Sequence, residues 1–245
     1  MTHGQTDPVR VVPVEIRPSS SSGQTVTTRI NNSDYLEWFR GAAPYINAHR
    51  GKTFVIYFGG EAIADTSFPV QLHDFALLDS LGIRLVLVHG IRPQIDDRLH
   101  TRGLQASYRD GLRITDAAAL ECVKEAAGTA RVEIEALLSM GLPNSPMAGA
   151  VINTVSGNFI TAQPHGVRDG VDYQYTGMVR KVDVAAMEGC LATGNIVMVS
   201  NIGYSPTGEI FNLSMEDVAV ATARALEAEK LVFLTDEPVV DNRGK

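Results

Sequence analysis

A chain of 245 residues, 44% hydrophobic and 20% charged, can bury a full core and is too apolar to be disordered throughout. Its net charge of −7 argues against a nucleic-acid binder, or a protein held on an anionic membrane by a basic field. No apolar run approaches the ~18 residues of a membrane span, and the opening MTHGQTDPVR lacks a signal-peptide core, so a soluble, cytoplasmic protein is expected.

Residues 1–30 include RPSSSSGQTVTT, which has almost nothing to bury, and the stretch reads as a mobile tail ahead of one domain over 31–245. Ser33 fits the N-cap of a helix running to about Arg50, with a kink or break expected at Pro44. Thr53–Phe58 is an apolar run closed by Gly59-Gly60, and Ile83–His89 is a second one closed by Gly90. Between them, Phe68 to Leu81 has a helical pattern, so the three segments form a βαβ unit with parallel strands. A helix is expected from Gln94 to Thr101, and a long one from Asp116 to Met140 capped by Thr115. Ala150–Val155 and Phe159–Ala162 flank Ser156-Gly157-Asn158 in the manner of a β-hairpin. Val182–Leu191 reads as a helix and Ile196–Ser200 as a strand. Ser214-Met-Glu-Asp217 has the spacing of a capping box opening a helix to Leu226, and Leu231–Leu234 is a last strand before Asp236. The class is α/β, a mainly parallel sheet sandwiched between helices. With no helix after the last strand, one sheet face is left uncovered, and the chain reads as truncated at its C-terminus.

In open α/β sheets ligands bind beyond the carboxyl ends of the strands. Two glycine loops fall there, Gly59-Gly60 and Gly90-Ile91-Arg92, where backbone N–H groups can approach an anion. The alternative is that the glycines serve plain tight turns. Asp236, at another strand end, fits either a ligand contact or a helix cap. Cys122 and Cys190 make neither a disulfide framework nor a zinc spacing, and read as reduced thiols. His73, His89, His100 and His165 lack metal-ligand spacing, so no metal is expected.

Taken in order, KTFVIYFGGEAI, LLDSLGIRLVLVHGIRPQID, GLRITD, GEIFNLSMEDVA and ALEAEKLVFLTD resemble the amino acid kinase family from about residue 34 onward. The nearest members are acetylglutamate kinases and the amino-terminal domain of bacterial N-acetylglutamate synthases. FRGAAPYINAHRGKTFVI and SMGLPNSPMAGAVINTVSGNFITAQPHGVRDGVDY resemble the synthases in particular.

The resemblance implies a degenerate kinase site. Kinases carry a lysine just before Gly-Gly, and Tyr57 stands there. Losing a preorganised charge of this kind costs on the order of 10²–10³ in rate. Their H-G-G-G-P loop is His89-Gly90-Ile91-Arg92-Pro93, in which Ile91 disfavours the positive φ open to glycine, while Arg92 still offers charge to an anion. The aspartate of N-x-N-A-D is Glu216, and another kinase lysine would follow residue 245. Arg113 and Asn212 match positions that hold acetylglutamate, and are read here as structural, with Arg113 pairing to Asp110 or Asp116.

For the synthases the resemblance implies acetyl transfer from acetyl-CoA to L-glutamate by a carboxyl-terminal acyltransferase domain absent from this chain. No residue here is then catalytic, and the chain itself needs no cofactor. It also implies an L-arginine site at Tyr45 and Lys230, completed by segments after residue 245. The plainer readings are helix packing for Tyr45 and a helix-end lysine for Lys230. A homo-oligomer is expected. The rival enzyme is an acetylglutamate kinase that tolerates Tyr57 and Glu216.

Overall fold

The computed structural model describes residues 11–15, 32–140 and 151–235. After strand β1 (Val11–Glu15) come helix α1 (Asn32–His49), β2 (Thr53–Phe58), the one-turn α2 (Gly60–Ala64), α3 (Phe68–Ser80), β3 (Arg84–His89) and α4 (Arg92–Thr101). A hairpin of β4 (Ser107–Arg109) and β5 (Leu112–Ile114) leads into α5 (Ala117–Leu138), and β6 (Asn153–Ser156) and β7 (Ile160–Pro164) follow. A second hairpin, β8 (Val167–Arg168) and β9 (Val171–Asp172), precedes β10 (Gly177–Val182), α6 (Val184–Ala192) and β11 (Asn195–Val199). Then come β12 (Ile202–Tyr204), β13 (Ile210–Asn212), α7 (Met215–Ala225) and β14 (Lys230–Thr235).

Six strands form the central sheet in the order β1-β14-β2-β3-β11-β6, and every pairing in it is parallel. The inner strands are apolar without alternation because both faces are covered. Phe54, Ile56, Phe58, Leu85 and Leu87 point to one face, under α3 and the end of α5. Val55, Val86, Val88, Val197 and Val199 point to the other, under α6, α7 and a second sheet of order β10-β7-β12-β13. Fully burying such side chains contributes about 1.5–3 kcal/mol each. The flank at β14 is thinner, since Val232, Phe233 and Leu234 are only half-buried.

Several expectations change in detail. Val11–Glu15, inside the stretch read as a tail, pairs with β14 at the sheet edge, where Pro13 need not donate to a further strand; the rest of 1–30 lies outside the described residues. α1 begins at Asn32, ahead of Ser33, and runs through Pro44 without a break. The cap of α5 is Asp116, whose carboxylate accepts from Ala119 N at 2.7 Å, while Thr115 is fully buried. The hairpin around Gly157 does not form: β6 pairs with β11 in the central sheet and β7 with β10 in the second. Tight hairpins favour positive φ at the turn, and Gly157 lacks it. Ala150 and Asp236 lie outside the described residues.

His89 ends β3 with 1% exposure. Burial, aided by nearby Arg131, pulls its pKa from the ordinary 6.5 down to about 4. The imidazole is neutral in the folded chain and titrates near 6.5 when unfolded, so its contribution is intact above pH 6.5 and fades as pH falls toward 4. That loss is about 3 kcal/mol. Urea unfolding at pH 7 and pH 4 should show the wild type losing about 3 kcal/mol more stability between the two pH values than His89→Gln. Equal losses would contradict a buried neutral histidine.

Candidate functional site

A cavity of about 630 Å³ opens beyond the carboxyl ends of β2 and β3, and it gathers nearly every position singled out in the sequence. Tyr57, Gly60, Gly90, Ile91, Arg92, Arg113, Asn212 and Glu216 all line it. Gly59 sits one residue behind, as the residue preceding α2.

The two glycine loops are packed against each other. Gly90 N donates to Phe58 O at 2.8 Å, and a Cβ on Gly90 would stand 3.2 Å from both Gly59 Cα and Gly60 N. A Cβ on Gly60 would come within 2.8 Å of Pro93 Cδ and 3.0 Å of Ile91 Cα, and would collide with the Gln94 amide. Gln94 Nε2 also donates to Gly60 O at 2.7 Å. Gly60 and Gly90 are therefore needed for close approach of backbone to backbone. Ile91 relieves the expected strain by adopting φ −146°, and its side chain, 1% exposed, packs with Ile95, Leu99 and the small residues of α5.

At the floor of the cavity Tyr57 Oη donates to Glu216 Oε1 at 3.2 Å, and Ser214 Oγ donates to Glu216 Oε2 at 3.0 Å. Burial first, and the Glu216 carboxylate next, push the phenol well above its ordinary pKa of 10, so it remains a neutral donor. Ser214 Oγ accepts from Asp217 N at 3.2 Å, which is the backbone half of the capping box.

Arg113 pairs with neither residue expected for it. Its guanidinium donates to Asp96 Oδ1 of α4 at 2.7 Å and lies 4.7 Å from the Tyr108 ring centroid. Asp110 instead meets Arg109, and Asp116 is occupied as a helix cap. Asn212 Nδ2 donates to Thr115 Oγ1 at 2.9 Å, and Asn201 Nδ2 donates to Asn212 Oδ1 at 2.7 Å. Thr176 joins this buried network through Thr115 and the Arg113 carbonyl. The parts played here by Asp96, Tyr108, Thr115, Thr176 and Asn201 escape sequence reading. One signal for Tyr108 exists: Asp110-Gly111, with φ 52° and 77°, is the two-residue turn that joins β4 to β5.

Among the described residues, four carboxylates line the cavity, Glu61, Asp110, Glu216 and Asp217, against the two guanidiniums of Arg92 and Arg113, and no lysine does. Arg113 is already committed to Asp96. A migrating phosphoryl group needs positive charge and donors around its oxygens, and this lining offers little free positive charge. Among the described residues no group of three or more His, Cys, Asp or Glu could hold a metal ion.

Tyr45 and Lys230 meet elsewhere. Lys230 opens β14, rather than ending a helix, and its Nζ donates to Tyr45 Oη at 2.5 Å. The ammonium lies 4.5 Å from the Tyr45 ring centroid and 5.3 Å from that of Phe54, beside His49. Burial, and then Lys230, lower the His49 pKa. Lys230 is paired in register with Phe54, while Tyr57 is paired with Phe233. Three residues of strand, roughly 10 Å, thus separate this cluster from the cavity floor.

The amino acid kinase family model matches residues 52–245, and the chain belongs to that family. It is 48% identical over 229 residues to the amino-acid acetyltransferase of Ralstonia nicotianae, covering 93% of this chain and 51% of that protein. The crystal structure of N-acetylglutamate synthase from Neisseria gonorrhoeae complexed with coenzyme A and L-arginine matches with a TM-score of 0.79 at 39% identity, over 86% of this chain and 50% of that one. The same synthase complexed with coenzyme A and N-acetyl-glutamate gives 0.75 at 40% identity, over 86% and 48%. The chain spans about half the length of these relatives.

The packing separates the adjacent glycines. Gly60→Ala should cost about 1–3 kcal/mol, because Pro93 and the Ile91 backbone must move. Gly59→Ala should cost under about 0.5 kcal/mol, since its Cβ meets only the mobile end of Glu61, 2.5 Å away. Urea midpoints of the two variants check this ordering, and equal midpoints would refute it.

Proposed function

We propose that this chain is the amino-acid-kinase-like part of an N-acetylglutamate synthase. The whole protein transfers acetyl from acetyl-CoA to the α-amine of L-glutamate, opening arginine biosynthesis in the cytoplasm, under feedback by L-arginine. Acetyl transfer belongs to the half of the relatives' length that this chain does not span, and no residue here is catalytic. The relatives named amino-acid acetyltransferase and N-acetylglutamate synthase support this reading.

The observation that carries it is the neutral Tyr57 phenol, hydrogen-bonded to Glu216 where a phosphoryl-transfer site of this fold needs an ammonium. The acidic lining around it speaks against an acetylglutamate kinase. Gly59, Gly60, Gly90, Ile91, Arg92, Arg113 and Asn212 are then structural survivors of that site.

Sensing is assigned to Tyr45 and Lys230. The ammonium, held between the Tyr45 and Phe54 rings, can exchange its phenol partner for the α-carboxylate of arginine, a stronger charge-assisted bond. The rings then flank the aliphatic stem. Assembly as a homo-oligomer is part of the same proposal.

Thermal melting tests it. Saturating L-arginine should raise the melting temperature of the chain by a few degrees, as expected for a ligand that binds only the folded state. Lys230→Met should remove at least nine-tenths of that shift. An unchanged shift in the variant would take Lys230 out of the site. With ATP, magnesium and N-acetyl-L-glutamate, ADP release should remain at background; turnover would reinstate the kinase.

A further inference from the structure

A second cavity, about 340 Å³, lies beyond the carboxyl ends of three neighbouring strands of the central sheet, β3, β11 and β6. His89 closes β3, Ser156 closes β6 and Ser200 follows β11. The facing wall is α5, which presents Lys124, Gly128 and Arg131, spaced four and three residues apart on one helical face. Among the described residues, nothing outside the helix's own backbone lies within 4 Å of where a Gly128 Cβ would stand, so the wall between the two cations is open.

Its charge is opposite to that of the first cavity. Among the described residues, Lys124 and Arg131 are the charged side chains lining it, and no carboxylate does so, in a chain whose net charge is −7. Their own partners are Glu121 and Glu135, next to them on the outer surface of α5, and such exposed pairs contribute little. Both cations therefore remain available to a ligand.

Two buried polar atoms of the lining, His89 Nδ1 and Ser156 Oγ, have no hydrogen-bond partner among the described residues. A buried polar group left unmatched costs about 1–3 kcal/mol, so a ligand that bonds to either atom recovers part of that cost. The lowered pKa of His89 keeps its imidazole neutral, with one N–H to give. Asn158 adds an amide at the rim. The set is two cations and several neutral donors around a space large enough for a small metabolite.

We propose that this cavity binds a small oxyanion-bearing ligand, a phosphate or short dicarboxylate, with its charge between Lys124 and Arg131 and its oxygens on Ser156 and His89. The site is distinct from the Tyr57 cavity and from the Tyr45–Lys230 cluster, and it does not depend on the function proposed above.

Calorimetry on the 245-residue chain at fixed ionic strength tests it, with inorganic phosphate and succinate as separate probes. At least one should bind, and which one binds assigns the ligand class. Lys124→Gln and Arg131→Gln should each weaken that affinity tenfold or more, and the His89 ring resonances should shift on saturation. Both side chains are a third or more exposed, so the variants are expected to fold, and unchanged urea midpoints verify it. Arg92→Gln, which alters the first cavity, should leave the affinity within twofold. Binding of neither probe, affinity that survives both α5 substitutions, or loss in Arg92→Gln instead would overturn the proposal.

Discussion

The contact on which this architecture turns is the meeting of two chain reversals at the ends of β2 and β3. The strands run parallel at full register from Thr53↔Arg84 to Phe58↔His89, so their exits emerge side by side. Both chains must leave through the same narrow space. Gly90 bonds back to Phe58, Gly60 lies against Ile91 and Pro93, and α2 and α4 start there. A side chain at Gly60 or Gly90 would force these backbones to shift. The cavity lies beside this meeting point, bounded as well by the β4–β5 hairpin and the start of α7.

The centre of the main sheet is legible in the sequence because β2 and β3 are almost wholly apolar and each is followed by glycine. Phe54 to Phe58 and Leu85 to Val88 leave no other reading, and the helices between them carry ordinary amphipathic spacing. Pairing is what the patterning misses. An apolar run marks a strand without choosing its neighbour: Asn153–Ser156 and Ile160–Pro164 follow one another in the chain yet enter different sheets. Local chemistry misleads in the same way at Thr115, a good cap by type that is instead drawn into the buried network of Thr176 and Asn212. The cavity's glycines and Tyr57 are readable, whereas Asp96 as the partner of Arg113 is not, because only the packing of α4 on the hairpin brings them together.

The sites proposed for this molecule divide the sheet lengthwise. Tyr45 and Lys230 meet at the amino ends of β2 and β14. The Tyr57 floor and the His89 cavity lie at the carboxyl ends. Strands that are buried on both faces and hydrogen-bonded on both sides are stiff, so the two ends of the sheet are held at a fixed separation. That arrangement suits a domain that reports a small molecule to a neighbour without reacting with it.

Ile91 ties the second glycine loop to the helices behind it. Its side chain has become part of the floor on which α4 rests against α5, in the midst of Ala119, Val123 and Ala126. Glycine there, as a phosphate-wrapping loop would demand, would empty that contact at a cost of about 3–5 kcal/mol, a large share of what holds an ordinary domain together. Loop and helix pair are therefore fixed by one side chain, and neither can be altered without the other.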